Sequence, residues 1–171
     1  MSEVPSPTPG RYRVIARDDG SEEVEVHVEF MELAIQQAHL AKPVDTAFSV
    51  GSLLVSGRRI ITTGFSRELP GNTHSAQCAI EKSARTPQAA LVRGSVLYST
   101  MEPCSFRLSG NKPCSARIIA AGITQVVIGV KEPATFSSCR GVTCLLEAGV
   151  DVVHLKLLEE ECLKPNIHLL T

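Results

Sequence analysis

Apolar positions along the chain change their period several times, and each change marks an element. From Val28 to Ala41, the residues Phe30, Met31, Leu33, Ala34, Ala38 and Ala41 recur at the spacing of one helical face, and Pro43 supplies the stop. Phe48 to Val55 is apolar and β-branched, Ser56-Gly57-Arg58 reads as a turn, and Ile60 to Phe65 is apolar again, which predicts a hairpin. Thr73 to Ala84 predicts a second helix capped by Thr73 or Asn72. Gly94 to Thr100 predicts a strand, and Pro113 to Ala121 a third helix whose proline sits where a missing N–H costs least. Thr124 to Val130 reads as a strand, Arg140 to Ala148 as a helix closed by Gly149, Val150 to Leu155 as the last strand and Leu157 to Leu163 as a terminal helix. A helix between the last two strands favours their parallel pairing, so the expected class is α/β with a mixed sheet of five strands.

The N-terminal stretch lacks such a pattern. Met1 to Gly10 holds Pro5, Pro7 and Pro9 among small polar residues and cannot bury enough apolar surface to order itself. Arg11 to Glu23 is compatible with a short strand or hairpin arm ending in the turn signal Asp18-Asp19-Gly20-Ser21. The expected organisation is a flexible tail over residues 1–22 and a single domain over 23–171.

Composition narrows the class further. With 171 residues, 43% hydrophobic content and a formal net charge of -1, the chain can bury one sizeable core. Balanced charge argues against extended duplex nucleic-acid binding, which needs a basic excess. No apolar run approaches the ~18 residues that span a bilayer, and no basic-then-apolar leader opens the sequence, so the expectation is a cytoplasmic protein with no membrane partner. Of the six cysteines, Cys78, Cys139, Cys144 and Cys162 read as reduced and mostly buried thiols.

The remaining two cysteines carry chemistry. His74, then Cys104 in Glu102-Pro103-Cys104 and Cys114 in Pro113-Cys114, supply one imidazole and two thiolates, each where a strand hands over to a helix. That set fits Zn2+ with a fourth tetrahedral position left open for water, the mark of a catalytic rather than a structural site. Helix starts at His74 and Cys114 are expected to aim positive dipole ends at the ion and so favour thiolate.

The arrangement resembles that of the zinc deaminases of nucleobases. Arg67-Glu68-Leu69-Pro70-Gly71-Asn72-Thr73-His74, continuing through Gln77-Cys78-Ala79, and the run from Glu102-Pro103-Cys104-Ser105-Phe106-Arg107-Leu108 to Asn111-Lys112-Pro113-Cys114 resemble the fungal deaminases of riboflavin biosynthesis. The long gap between Cys104 and Cys114 is the most specific part of that likeness. The resemblance implies a three-layer α/β/α cytidine deaminase-like fold, and Phe48-Ser49-Val50-Gly51 resembles that superfamily's first strand, with Gly51 allowing a close approach. It also implies hydrolytic deamination of 2,5-diamino-6-ribitylamino-4(3H)-pyrimidinone 5'-phosphate, and a homodimer. Substrate contacts are expected from Asn72, from Arg107 and Lys112 on a phosphate or ring carbonyl, and from Asn111 on a ring edge or ribityl hydroxyl.

One departure outweighs the matches. Two residues after His74, where the superfamily carries its proton-moving Glu, stands Ala76. The neighbouring Gln77 has no titratable proton near neutrality and cannot replace it. The chain is therefore expected to hold zinc but to be an inactive Glu-to-Ala variant at position 76. Its alternatives are a natural zinc-binding pseudoenzyme with a scaffold role, or a deaminase of bases in RNA, which the charge balance opposes.

Overall fold

The computed structural model describes residues 3–132 and 139–170. Helix α1, Glu22–Leu40, starts earlier than its apolar stripe. Ser21 Oγ caps it by accepting the Val24 N–H at 3.3 Å, and Glu22, Glu23 and Glu25 favour the positive end of the dipole. The predicted hairpin forms from β2, Gly51–Ser56, and β3, Arg59–Phe65. Helix α2, Ser75–Ser83, leads to β4, Val96–Met101, and α3, Cys114–Ala121, to β5, Gln125–Val130. Helix α4, Gly141–Glu147, leads to β6, Asp151–His154. The terminal helix expected over Leu157 to Leu163 forms as a 3-10 turn, Lys156–Leu158, running into α5, Glu159–Leu163, and beyond it come a second 3-10 turn, Lys164–Asn166, and an unanticipated α6, Ile167–Leu170.

Among the described residues the sheet has six strands, ordered β1-β6-β5-β4-β2-β3, where five were expected. The addition is β1, Tyr12–Val14, which lies within residues 1–22 expected to be tail but also within Arg11 to Glu23, read as compatible with a short strand, and it pairs in parallel with β6. All three of its residues are exposed. Backbone pairing holds it, with the Tyr12 hydroxyl 3.3 Å from His154 Nδ1 and Arg13 paired with Glu23, and a strand with no buried residue leaves no alternation to read. The Arg11 N–H adds a bond to Asp151 Oδ1 at 2.8 Å, and the Ile15 N–H one to the His154 carbonyl at 2.9 Å. Strands β4, β5 and β6 run parallel, as expected for the last two, and β2 is antiparallel to both neighbours.

Alternate residues of the central strands face opposite layers. Leu54, Leu97, Val126 and Val152 pack with Ala76 and Ala79 of α2, Ile118 of α3 and Leu145 of α4. Their neighbours Leu53, Tyr98, Val127 and Val153 pack with Phe30, Met31 and Ala34 of α1 and with Leu158 and Cys162 from the C-terminal segment. Three layers result, with parallel β4 and β5 ending at one edge, where ligands of open α/β sheets usually bind.

Two close approaches set that edge. Asn166, fully buried, donates from Nδ2 to the Ser49 carbonyl at 2.9 Å and accepts the Ser49 N–H on Oδ1 at 2.5 Å, so a side chain substitutes for a strand partner ahead of β2. At Gly51 the backbone of α1 comes so near that a Cβ would overlap the Ala34 carbonyl oxygen. The close approach expected at this glycine is therefore made by helix backbone. Gly51→Ala is expected to lower the unfolding free energy by about 3 kcal/mol, read as a shifted urea midpoint at constant slope.

Candidate metal centre

The start of α2 is built before the helix begins. Thr73, buried, donates its hydroxyl to the Leu69 carbonyl at 2.7 Å and accepts the Leu69 N–H at 3.1 Å. Asn72 takes a positive φ of 56°, a conformation asparagine tolerates better than most residues. This turn delivers His74 at the cap position, where Asn72 or Thr73 was expected, with φ -90° and ψ 160°. The His74 N–H donates to Gln77 Oε1 at 3.4 Å, closing the first turn. Of the next two residues, Ser75 pairs with Ser52 Oγ at 2.7 Å, and both it and Ala76 line a cavity of about 360 Å³.

His74, Cys104 and Cys114 converge as their spacing suggested. Their ligand atoms all lie within 4.8 Å of one another, with His74 Nδ1 at 3.4 Å from Cys104 Sγ and 3.5 Å from Cys114 Sγ. One borderline nitrogen and two soft sulfurs match the donor set of a tetrahedral zinc site with one position left over. The Cys114 N–H, at the start of α3, donates to Cys104 Sγ at 3.3 Å. The Cys114 thiol, aided by His74 and that N–H, brings Cys104 down to about 4, while the same contact and near-complete burial push Cys114 well up. Opposite shifts of the two sulfurs follow from their one mutual contact.

The polar residues around the cluster hold one another. Arg107, only 6% exposed, donates to Gln77 Oε1 at 2.8 Å and to the Asn72 carbonyl at 2.7 Å, tying the loop between the cysteines to the start of α2. Gln77 also donates to Glu81 Oε1 at 2.9 Å, so its amide is fully engaged. Glu102 accepts the Glu132 N–H at 3.2 Å on one oxygen and the Val142 N–H at 2.9 Å on the other. It therefore joins the ends of β4 and β5 to the first turn of α4, beside Gly141, where any Cβ would overlap the Pro103 carbonyl oxygen.

Four substrate contacts were expected, and two of these residues line the cavity. Asn72 and Arg107 are in its wall, whereas Asn111 and Lys112 are exposed on the same loop as Arg107 and stand apart from the lining. The Asn111 N–H donates to Ser109 Oγ at 3.4 Å, and the Lys112 carbonyl accepts from Arg117 Nε at 3.2 Å. Arg67 and Glu132 also line the cavity without having been singled out. Arg67 donates to the carbonyls of Lys42 and Phe48 and to Ser49 Oγ, and burial lowers its pKa. Glu132 carries no motif, and the signal that finds it is topological: it follows the carboxyl end of a parallel strand.

A family model, the cytidine and deoxycytidylate deaminase zinc-binding region, matches residues 24–130. The chain belongs to the cytidine and deoxycytidylate deaminase family. Within it, the chain is 41% identical over 141 residues to a diaminohydroxyphosphoribosylamino-pyrimidine deaminase of Schizosaccharomyces pombe, covering 82% of this chain and 35% of that one. The chain thus spans about a third of that relative's length. A protein of the same description from Buchnera aphidicola is 30% identical, covering 69% of this chain and 75% of its own. The crystal structure of Aspergillus oryzae Rib2 deaminase in complex with DARIPP superposes with a TM-score of 0.71 at 36% identity, covering 82% of this chain and 89% of that one. The fold, the zinc-binding deaminase domain and the kinship with riboflavin-pathway pyrimidine deaminases are those anticipated from the motifs.

Because both Glu102 oxygens are engaged by backbone N–H groups, Glu102→Ala is expected to cost about 3 kcal/mol of stability, measured by urea denaturation of the metal-free chain.

Proposed function

We propose that this chain is a zinc-dependent deaminase domain whose substrate is 2,5-diamino-6-ribitylamino-4(3H)-pyrimidinone 5'-phosphate, yielding 5-amino-6-ribitylaminouracil 5'-phosphate and ammonia, and that Ala76 leaves it strongly impaired. The observation that carries this reading is the imidazole and two sulfurs opening on a cavity with Ala76 in its wall. Likeness to the Aspergillus protein seen with DARIPP supports the substrate class. The size of the cavity, about 360 Å³, suits a pyrimidine ring with its ribityl arm leading out.

His74, Cys104 and Cys114 would hold the ion. Zinc bound there supplies a Lewis acid and brings the pKa of a water it carries down to ~7. The chain's own residues orient the ring. Arg107, already fixed by Gln77 and Asn72, presents a rigid cation to a ring carbonyl, and the Asn72 side chain stands at the rim. Exposed Lys112 and Asn111 are available to the phosphate and ribityl hydroxyls outside. Exposed Phe106 and Leu108 in the cavity wall, 67% and 96% accessible, support completion of the pocket by a second copy in a homodimer. Six cysteines, all free, support residence in the reducing cytoplasm.

A second reading follows from Ala76 itself. A natural pseudoenzyme would keep zinc and ligand without turnover, and restoring the carboxyl separates the two. Ala76→Glu is expected to raise kcat for ammonia release from the pyrimidine phosphate by ~10²–10⁴-fold with little change in KM. Metal analysis is expected to find stoichiometric zinc in both forms and none in Cys104→Ser or Cys114→Ser. An Ala76→Glu protein that binds zinc and the pyrimidine phosphate yet releases no ammonia would leave the pseudoenzyme reading standing.

A further inference from the structure

Hydrolytic deamination moves protons at each stage. As a water oxygen bonds to the amino-bearing carbon, one of its protons leaves and the imine-type ring nitrogen gains one. When the carbon–nitrogen bond breaks, the second O–H proton ends on the departing ammonia while the carbonyl forms. One carboxyl that takes and returns a proton twice completes the cycle, with no oxidant or further reactant.

Ala76 supplies no such group, so any other carboxyl must come from elsewhere in the cavity wall. Among the described residues, carboxyls in its wall belong to Glu102 and Glu132 alone, and the segment 133–138 adds no Asp or Glu. Glu102 is committed, since each of its oxygens accepts a backbone N–H. Gln77 is committed as well.

Glu132 remains. Met101 pairs with Val130 across β4 and β5, and the Glu102 N–H bonds to the Val130 carbonyl at 2.8 Å. That register brings Glu132, two residues beyond β5, alongside the Pro103-Cys104 exit of β4. Glu132 is not one of the three clustered ligands, but it lines the same cavity as they do and feels the charges of His74 and Cys104.

Resting on the deaminase reading, we propose that Glu132 is a catalytic residue, its carboxyl meeting the amidine edge of the pyrimidine and carrying the proton transfers that position 76 cannot. Its surroundings suit a group that must both hold and yield a proton. Burial raises its pKa, the charges of Cys104 and Glu102 add to that rise, and a hydrogen bond from Cys139 and the charge of His74 oppose it. Those four are the titratable neighbours that bear on it. The role predicts residual turnover, slower than that of a Glu-bearing relative, in a chain with Ala at 76.

The test pairs two backgrounds. In the zinc-loaded chain, Glu132→Gln is expected to cut residual ammonia release from the pyrimidine phosphate by about tenfold or more, in kcat rather than KM. In the Ala76→Glu background the same substitution is expected to cost a clearly smaller factor. Equal losses in both backgrounds would assign Glu132 a structural part and overturn the proposal, as would a chain with no residual turnover beside an active Ala76→Glu variant. If Ala76→Glu is also silent, the deaminase reading itself falls. A readout independent of turnover uses carboxyl ¹³C NMR of the metal-free chain, with Glu132 assigned by its loss in Glu132→Gln. Its titration midpoint is expected to move on adding 5-amino-6-ribitylaminouracil 5'-phosphate, and a midpoint indifferent to that ligand would overturn the contact.

Discussion

Two sulfurs and an imidazole nitrogen lie within 4.8 Å of one another, Cys114 buried and His74 and Cys104 half-buried, an arrangement whose thiolate form is costly unless something positive sits among the donors. One contact between the sulfurs drives Cys104 down and Cys114 up. A zinc ion there would offer a charge that all three donors could face at once. The rest of the architecture is intelligible as the means of bringing these atoms together from positions 30 and 40 residues apart along the chain.

The sheet does this by geometry. Strand β4 hands over to the Pro103-Cys104 corner, and α3 begins on Cys114, whose N–H points at the Cys104 sulfur. Helix α2 begins beside them because Thr73 and Leu69 close a turn that leaves His74 at its cap. Three backbone origins are then locked by side chains. Arg107 ties the loop between the cysteines to α2, and Glu102 ties β4 to the exit of β5 and to α4. Each lock uses a charge against neutral backbone or amide groups. Such bonds are stronger than neutral ones.

How much of this could be read from the sequence depended on whether a residue announced itself locally. Helices with an apolar stripe and the central strands did, because burial on one or both faces imposes a period. The triad did as well, since Pro-Cys and the residues around His74 carry their own turn chemistry. Strand β1 showed only as a stretch compatible with a short strand, because its three residues are exposed and its ties, the pairing with β6 and the contacts of Tyr12 with His154 and of Arg13 with Glu23, lie outside the local sequence. The early start of α1 was hidden in the same way: Ser21 and three glutamates set it, and an apolar count passes over them. In the cavity, Arg107 was legible as a loop cation, but its two bonds to Gln77 and Asn72 are long-range facts. Glu132 was invisible for that reason too. Nothing around it in sequence marks it, and only the pairing of β4 with β5 carries it to the cavity wall.

Holding a metal and moving protons are separate tasks in this fold, and they fail separately. The metal position draws on helix starts, strand exits and two clamping charges, so loss of any part disturbs packing or leaves buried polar groups unpaired. Position 76 draws on nothing but the direction of one side chain. Alanine there is buried, favours the helix and forfeits no bond that the surrounding network needs. A chain can therefore lose its carboxyl at this point at almost no cost to stability, while Gln77, Arg107 and Glu102 keep their places. The cavity then retains its shape and its donors, and the chemistry left to it is set by whatever carboxyl the topology already holds at the end of β5.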